Sequence, residues 1–213
     1  MEARSLNFFQ FLKSRRSHKG RFSPDAPSDD LVEKVCEVAR WAPSAHNAQP
    51  WRVVVVRNGP LREALVERMA GRFRSDLLAD GTDPELAERK VKRSRETFLD
   101  APLLLVVCGD LTCQDAYPDD ARRRAEEAML VQSVAAFTQQ LLLAAHASGL
   151  AGCWYCAPLF AGDVVRDVCG LPAHWWPLAF VTLGTPLQEG EATRRGAPPR
   201  RPVEEFVKFV GGS

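Results

Sequence analysis

The sequence predicts an α+β domain, a sheet flanked by helices in three layers, and three observations carry that expectation. Apolar runs of strand length recur at 52–57, 102–108 and 177–184. Helix-forming segments separate them, so strands and helices alternate. One long segment, 122–148, is helix-favouring throughout and apolar around nearly its whole circumference after Met129, which implies burial on most sides, inside one subunit or between two.

Taken in chain order, a helix precedes Arg15. Ser28 can cap the next, whose first turn carries Asp29 and Asp30, favourable at a helix N-terminus, and whose apolar stripe is Leu31, Val35 and Ala39. Pro43 marks its end. The four consecutive valines within 52–57, followed by Asn58-Gly59, read as a buried strand because β-branched residues suit a pleated surface. Helices follow over 61–70 and 84–99, and a short strand over 151–155. Gly149 ends the long helix and Gly170 ends a short one over 161–169, glycine tolerating the positive φ at which helices terminate. From about 189 onward, Gly, Pro, Arg and Glu dominate, so this stretch reads as an extended C-terminal arm of a single 1–213 domain.

A chain of 213 residues suits one domain, for which about 100–200 residues is usual. Its 28 basic and 27 acidic side chains leave a formal charge of +1, which excludes a chain-wide attraction to nucleic acid or to an anionic membrane, so any anion site must be local. The start lacks an apolar core with a small-residue cleavage site, which places the protein in the cytoplasm. The most apolar stretch, 129–145, is interrupted by Gln132, Ser133, Thr138, Gln139 and Gln140, whereas a bilayer crossing takes about 20 mostly apolar residues. The six cysteines lack the density of a disulfide scaffold and are expected to be reduced.

Two segments carry the candidate chemistry. Arg15-Arg16-Ser17-His18-Lys19-Gly20-Arg21-Phe22 gathers four cations, a hydroxyl and a glycine into one turn. Arginine forks, a lysine point charge and a serine hydroxyl could cradle a phosphate; a solvated basic turn is the plainer reading. The loop 42–51 offers Ser44, Asn47 and Gln49 as donors and acceptors for a heteroaromatic edge or a polyol chain, with Pro43 and Pro50 stiffening its backbone. The alternative is a capped turn with Trp51 in the core. A third pattern, Cys153-Trp154-Tyr155-Cys156, could be a redox pair or half a zinc site, but no second Cys pair or close His pair supplies the other ligands, and no metal is expected.

Arg-Arg-Ser with following basic residues and Phe, then Ala-Pro-Ser-x-x-Asn-x-Gln-Pro-Trp, resembles the nitroreductase family of flavoenzymes. Tyr117-Pro118-Asp119 with Arg122, Ala125 and Glu126, then 152–160, 165–167, Leu171-Pro172, Trp175 and Pro177, are similar to the reductase domain of bacterial coenzyme F-420 gamma-glutamyl ligases. The resemblance implies the nitroreductase fold, with a mixed, mainly antiparallel sheet, the long helix at a homodimer interface, and FMN as cofactor. It gives Arg15, Arg16, Ser17 and Lys19 the phosphate and ribityl chain. The turn is one residue longer than the family's usual spacing, so Lys19 and Arg21 compete for the second cationic position. A distant cation is implied at Arg200, with Arg201 in reserve. Pro43, Ser44, Ala45 and Asn47 are implied to face the flavin of the partner subunit, and Tyr155, Cys156 and Ala157 to lie along the ring, where backbone N–H groups can support negative charge.

The function so implied is hydride transfer through FMN to a small conjugated acceptor, with NAD(P)H or reduced deazaflavin as donor. The acceptor would be a dehydro precursor of the deazaflavin coenzyme, or a range of nitro compounds, quinones and enones. A flavin or deazaflavin carrier without turnover is the reading from another class.

Overall fold

A computed structural model describes residues 2–19, 21–187 and 198–211, with side chains from Asn7 onward. Gly20, residues 188–197 and the last two residues of the C-terminal arm therefore lie outside the described residues. Helices α1 (Glu2–Ser14), α2 (Asp29–Ala39), α3 (Pro60–Ala79), α4 (Pro84–Leu99), α5 (Asp120–Ala147) and α6 (Gly162–Cys169) alternate with strands β1 (Trp51–Val56), β2 (Leu103–Asp110), β3 (Ala151–Tyr155) and β4 (Trp175–Gly184). The strands form one sheet in the order β1-β2-β4-β3, and every neighbouring pair is antiparallel. The four-stranded sheet is thus wholly antiparallel and not mixed as the resemblance implied; the isolated bridge from Ser17 to Gly152 at the β3 edge is parallel but forms no further strand among the described residues.

The central strand explains the layering. Every residue of β2 is buried, and its alternate side chains feed two cores. Leu103, Leu105 and Val107 face α2 and α5, packing with Val35, Val134, Phe137 and Leu141. Leu104, Val106 and Cys108 face the opposite layer with Leu65, Phe98 and Val165. Buried on both faces, β2 cannot show the polar alternation of a half-solvated strand, which is why it reads as an unbroken apolar run.

Ser28 caps α2 as its position implies, its Oγ accepting from the Leu31 N–H at 3.3 Å. Helix α3 runs nine residues past the predicted end at 70, because Gly71 continues the helix instead of stopping it. Within the chain only one side of α5 is covered: Leu130, Val134, Phe137 and Leu141 are buried, while Ala128, Val131 and Gln139 are exposed.

Two buried charged groups fix the ends of the sheet. Arg62, only 1% exposed, donates through Nε to the Phe98 carbonyl at 2.8 Å and through its terminal nitrogens to the carbonyls of Phe98 and Ala101 and to Asn58 Oδ1. It thereby ties α3 to the exit of α4. Burial lowers its pKa to about 10 against the opposing pull of Asp100, so it remains cationic at neutral pH.

At the other end, Asp110 pairs with Arg52 across β1 and β2 at 2.7 Å and accepts from the Thr112 hydroxyl and N–H at 2.6 and 3.0 Å. Burial works to raise its pKa, but the Thr112 bonds and the Arg52 and His174 charges together hold it below the ordinary carboxylate value. A depressed carboxyl adds stability above its unfolded pKa, about 3.9, and loses it as pH falls through the lower folded value. Asp110→Asn is accordingly expected to reduce stability at neutral pH and to shallow the loss below pH 4, read by urea unfolding at a series of pH values. A wild-type acid profile in the variant would remove Asp110 from this role.

Candidate functional site

The basic turn is seated by backbone bonds on the free edge of β3. Ser17 bridges Gly152, the His18 N–H donates to the Gly152 carbonyl at 2.9 Å, and the Ser23 N–H donates to the Thr185 carbonyl at 2.8 Å. Gly152 suits this contact because a Cβ there would collide with the Thr182 carbonyl and the Leu183 side chain. With both ends tied to the sheet, the turn holds its cations at fixed places.

Beneath it opens a cleft of about 490 Å³ between the turn, α4 and strands β3 and β4, lined among others by Lys19, Arg21, Arg93, Thr97, Tyr155 and Thr182. Lys19 Nζ lies 5.5 Å from the centre of the Tyr155 ring, within cation–π range. Two hydroxyls lie side by side in the cleft wall: Tyr155 Oη and Thr182 Oγ1 are buried and within reach of each other, and neither meets another partner in good hydrogen-bond geometry among the described residues. Burial, followed by the neighbouring Cys153, pushes the Tyr155 hydroxyl well above its ordinary pKa, so it stays a neutral donor. Buried polar groups are normally satisfied, and this pair keeps hydrogen-bonding capacity that a polar group entering the cleft could use.

Arg15 and Arg16 do not line this cleft. They lie at the opposite side of the turn, beside His146 and Gly152, where Arg16 donates to the Arg15 carbonyl at 2.9 Å. His146 stacks on Phe11 and sits 2.9 Å from Ser14 Oγ, tying α1 to the end of α5. Burial and then the Arg15 charge lower its pKa. The turn thus presents Arg15, Arg16 and Ser17 near its start and Lys19 and Arg21 in the cleft, and both candidates for the second cationic position reach it.

Downstream of β3, Cys156 is exposed and uncoupled from the buried Cys153; neither cysteine is in a disulfide. Ala157–Phe160 forms a 3-10 turn in which Pro158 has no N–H and the Leu159 N–H donates to the Cys156 carbonyl at 3.1 Å, leaving the Ala157 N–H as the free donor at its start. It borders an apolar cavity of about 360 Å³ lined by Met69, Phe73, Leu77, Phe98, Ala157 and Phe160. Arg200 lies on an exposed segment, donating to the Pro198 carbonyl at 3.0 Å, while Arg201 faces Glu205 at 3.9 Å, so neither lines the cleft within one subunit.

The loop of Pro43, Ser44, Ala45 and Asn47 is strained. His46, Asn47 and Gln49 all have positive φ, at 52°, 53° and 48°, a conformation uncommon outside glycine and held only where surrounding bonds dictate it. Ser133 Oγ on α5 accepts from the Ala45 N–H, and Ser44 Oγ from the Gln49 N–H, each at 3.1 Å. This loop leads into β1, whereas the basic turn rides on β3 at the other edge. Three strand spacings of about 4.8 Å separate these edges, roughly 14 Å in all.

Sequence reasoning missed Arg93, Glu96, Thr97 and Asp100. They share one face of α4 at helical spacing, and so do the residues of any solvated helix. Thr182 did leave a signal, a hydroxyl in the middle of the apolar β4 run.

A family model described as Nitroreductase family matches residues 12–185. A relative described as an NADH dehydrogenase, from Thermus thermophilus, is 30% identical over 207 residues, covering 85% of this chain and 87% of its own length. Among solved structures, the FMN-dependent nitroreductase NfnB from Mycobacterium smegmatis in complex with NADPH superposes with a TM-score of 0.72 at 22% identity, covering 97% of this chain and 99% of that one. A BluB-like flavoprotein from Clostridium difficile 630 gives 0.70 at 23% identity over 96% and 99%.

Proposed function

Since the chain belongs to the nitroreductase family of oxidoreductases, we propose that it binds FMN along the basic turn and in the cleft below it, and reduces a small conjugated acceptor at the expense of NAD(P)H. The observation that carries this reading is the cleft itself, which joins Lys19, Arg21 and Arg93 to the buried hydroxyls of Tyr155 and Thr182. Cations at both ends of the turn suit a ligand with an anionic tail and a polar ring, and about 490 Å³ lies within the usual range for cofactor sites, roughly 300–1,000 Å³. Bound FMN supplies the hydride chemistry, taking two electrons from the donor and passing them on.

The chain's own residues then bind and orient. Arg15, Arg16 and Ser17 hold the phosphate end, with Arg200 or Arg201 joining from the C-terminal arm. Lys19, Arg21 and Arg93 face the ribityl chain and ring. The Ala157 N–H at the start of the Ala157–Phe160 turn would support negative charge on the ring. The apolar cavity beside Ala157 excludes water and suits a flat conjugated acceptor.

The site is proposed to be completed by a second copy of the chain, in a homodimer. Pro43, Ser44, Ala45 and Asn47 lie at the far edge of the sheet from their own cleft and are free to meet the partner's. Large apolar side chains left uncovered support this: Trp41 is 76% exposed, Phe160 77% and Phe209 92%, together with the outward face of α5. Exposed aromatic side chains of this size suit burial against a second copy.

Extraction followed by chromatography is expected to release FMN and not FAD, since no G-x-G-x-x-G follows a strand to receive a pyrophosphate. Anaerobic reduction by NADH, NADPH and reduced deazaflavin, compared side by side, then identifies the donor. The segments that resemble the ligase-associated reductases favour a dehydro precursor of the deazaflavin coenzyme as acceptor, a cytoplasmic biosynthetic role; the NADH dehydrogenase relative favours a broad NAD(P)H reductase. Recovery of FAD, or of protein that takes up no flavin on reconstitution, would overturn the cofactor assignment. Bound FMN that none of the three donors reduces would make the protein a carrier.

A further inference from the structure

We propose that His46, Asp115 and Glu126 form a binding site for one divalent first-row transition-metal ion, separate from the cleft under the same chain's basic turn. The three come from distant stretches of chain: the strained loop before β1, the segment after β2, and the first turns of α5. One ligand atom from each lies within 4.8 Å of the other two. All three line a small cavity of about 40 Å³, room for a cation with a water beside it, since one water takes at least about 10–15 Å³ on this measure.

Two observations beyond the grouping fit a cation-binding role. Glu126 is only 7% exposed, yet among the described residues its carboxylate receives a single long hydrogen bond of 3.4 Å, from the Asp115 N–H, and pairs with no lysine or arginine. A buried carboxylate is ordinarily paired or bound to metal, and a second carboxylate beside it adds repulsion that a cation relieves. In the same cavity, Gln114 Nε2 is buried without a partner. Rotation of that amide would bring its carbonyl oxygen inward as a further donor.

One imidazole nitrogen with two carboxylate oxygens is a donor set for Zn²⁺, Co²⁺, Mn²⁺ or Fe²⁺, and it leaves coordination positions open to water or a ligand. Cys113 also borders the cavity, but its Sγ faces Arg52 at 3.8 Å. The site does not rest on the flavin assignment.

The test titrates chelator-treated, flavin-loaded protein with Co²⁺, following the visible ligand-field bands, and then displaces it with Zn²⁺. One saturable Co²⁺ per chain is expected, without a thiolate charge-transfer band. His46→Ala and Glu126→Gln should each weaken binding at least about ten-fold, because even the partners behind a ligand contribute 10–100-fold. Cys113→Ser should bind as wild type. Glu126→Gln removes a buried charge, so its metal-free melting temperature should equal or exceed that of wild type, while its rise on adding Zn²⁺ should vanish. Absence of a saturable site in wild type, binding that survives both ligand substitutions, or binding lost only in Cys113→Ser would each overturn the proposal.

Discussion

Arg62→Ala is expected to lower the free energy of unfolding by about 3–5 kcal/mol, the largest loss for any single side chain in this account. Arg62 is buried and its guanidinium is the hydrogen-bond donor for the carbonyls of Phe98 and Ala101. Removing it strands those carbonyls in the interior, at about 1–3 kcal/mol for each unsatisfied group, and opens a cavity as well. Release of the desolvated charge offsets part of this, but carbonyls left without donors cannot be repaired by repacking. Arg62→Met, which refills the space without the donors, should recover only the cavity part. Urea unfolding measures both. The effect reaches the cleft, because Thr97, Asp100 and Ala101 line it from the stretch of α4 and its exit that Arg62 secures. Loss of less than about 0.5 kcal/mol, the usual size for a surface change, would show that α4 is held by other means.

Lys19→Ala and Arg15→Ala should each raise the FMN dissociation constant by about ten- to a hundred-fold, corresponding to the roughly 1.5–3 kcal/mol of a hydrogen bond to a charged group. Arg200→Ala should do the same if the C-terminal arm closes over the phosphate. Arg89→Ala is the control, since its side chain is 66% exposed and faces only Glu85 on the outer surface of α4. Titration of apoprotein with FMN by fluorescence quenching gives all four constants. An Arg89 variant as damaged as the Lys19 variant would mean that general charge, and not the turn, governs binding.

The contrast between these two residues shows how far the sequence could be read. Lys19 was legible because its chemistry is local: a run of cations in a short turn needs no knowledge of the fold to be noticed. The loop 43–49 was legible for the same reason, its prolines and polar side chains being clustered in sequence. Arg62 was not, since an arginine in an amphipathic helix normally points to solvent, and only the packing of α3 against the exit of α4 buries it. Arg93 and Thr97 were hidden likewise, being charged and polar residues on a helix whose inward side is set by the sheet. Strand content was recovered from apolar runs, but the order β1-β2-β4-β3 depends on pairings between distant segments that periodicity does not encode. The grouping of His46 with Asp115 and Glu126 is of that kind too, created by the fold from residues far apart in the chain.

The central claim, that each flavin site is shared between two subunits, is tested most directly by a mixed dimer in which one chain carries Lys19→Ala and the other Asn47→Ala. If the turn of one chain and the loop of its partner build one site, the two lesions fall in the same site and leave the other intact. Equilibrium dialysis against FMN should then show one site of wild-type affinity per mixed dimer, while each variant homodimer shows none. A mixed dimer in which both sites are weakened alike would place the turn and the loop of one chain in the same site and contradict the account.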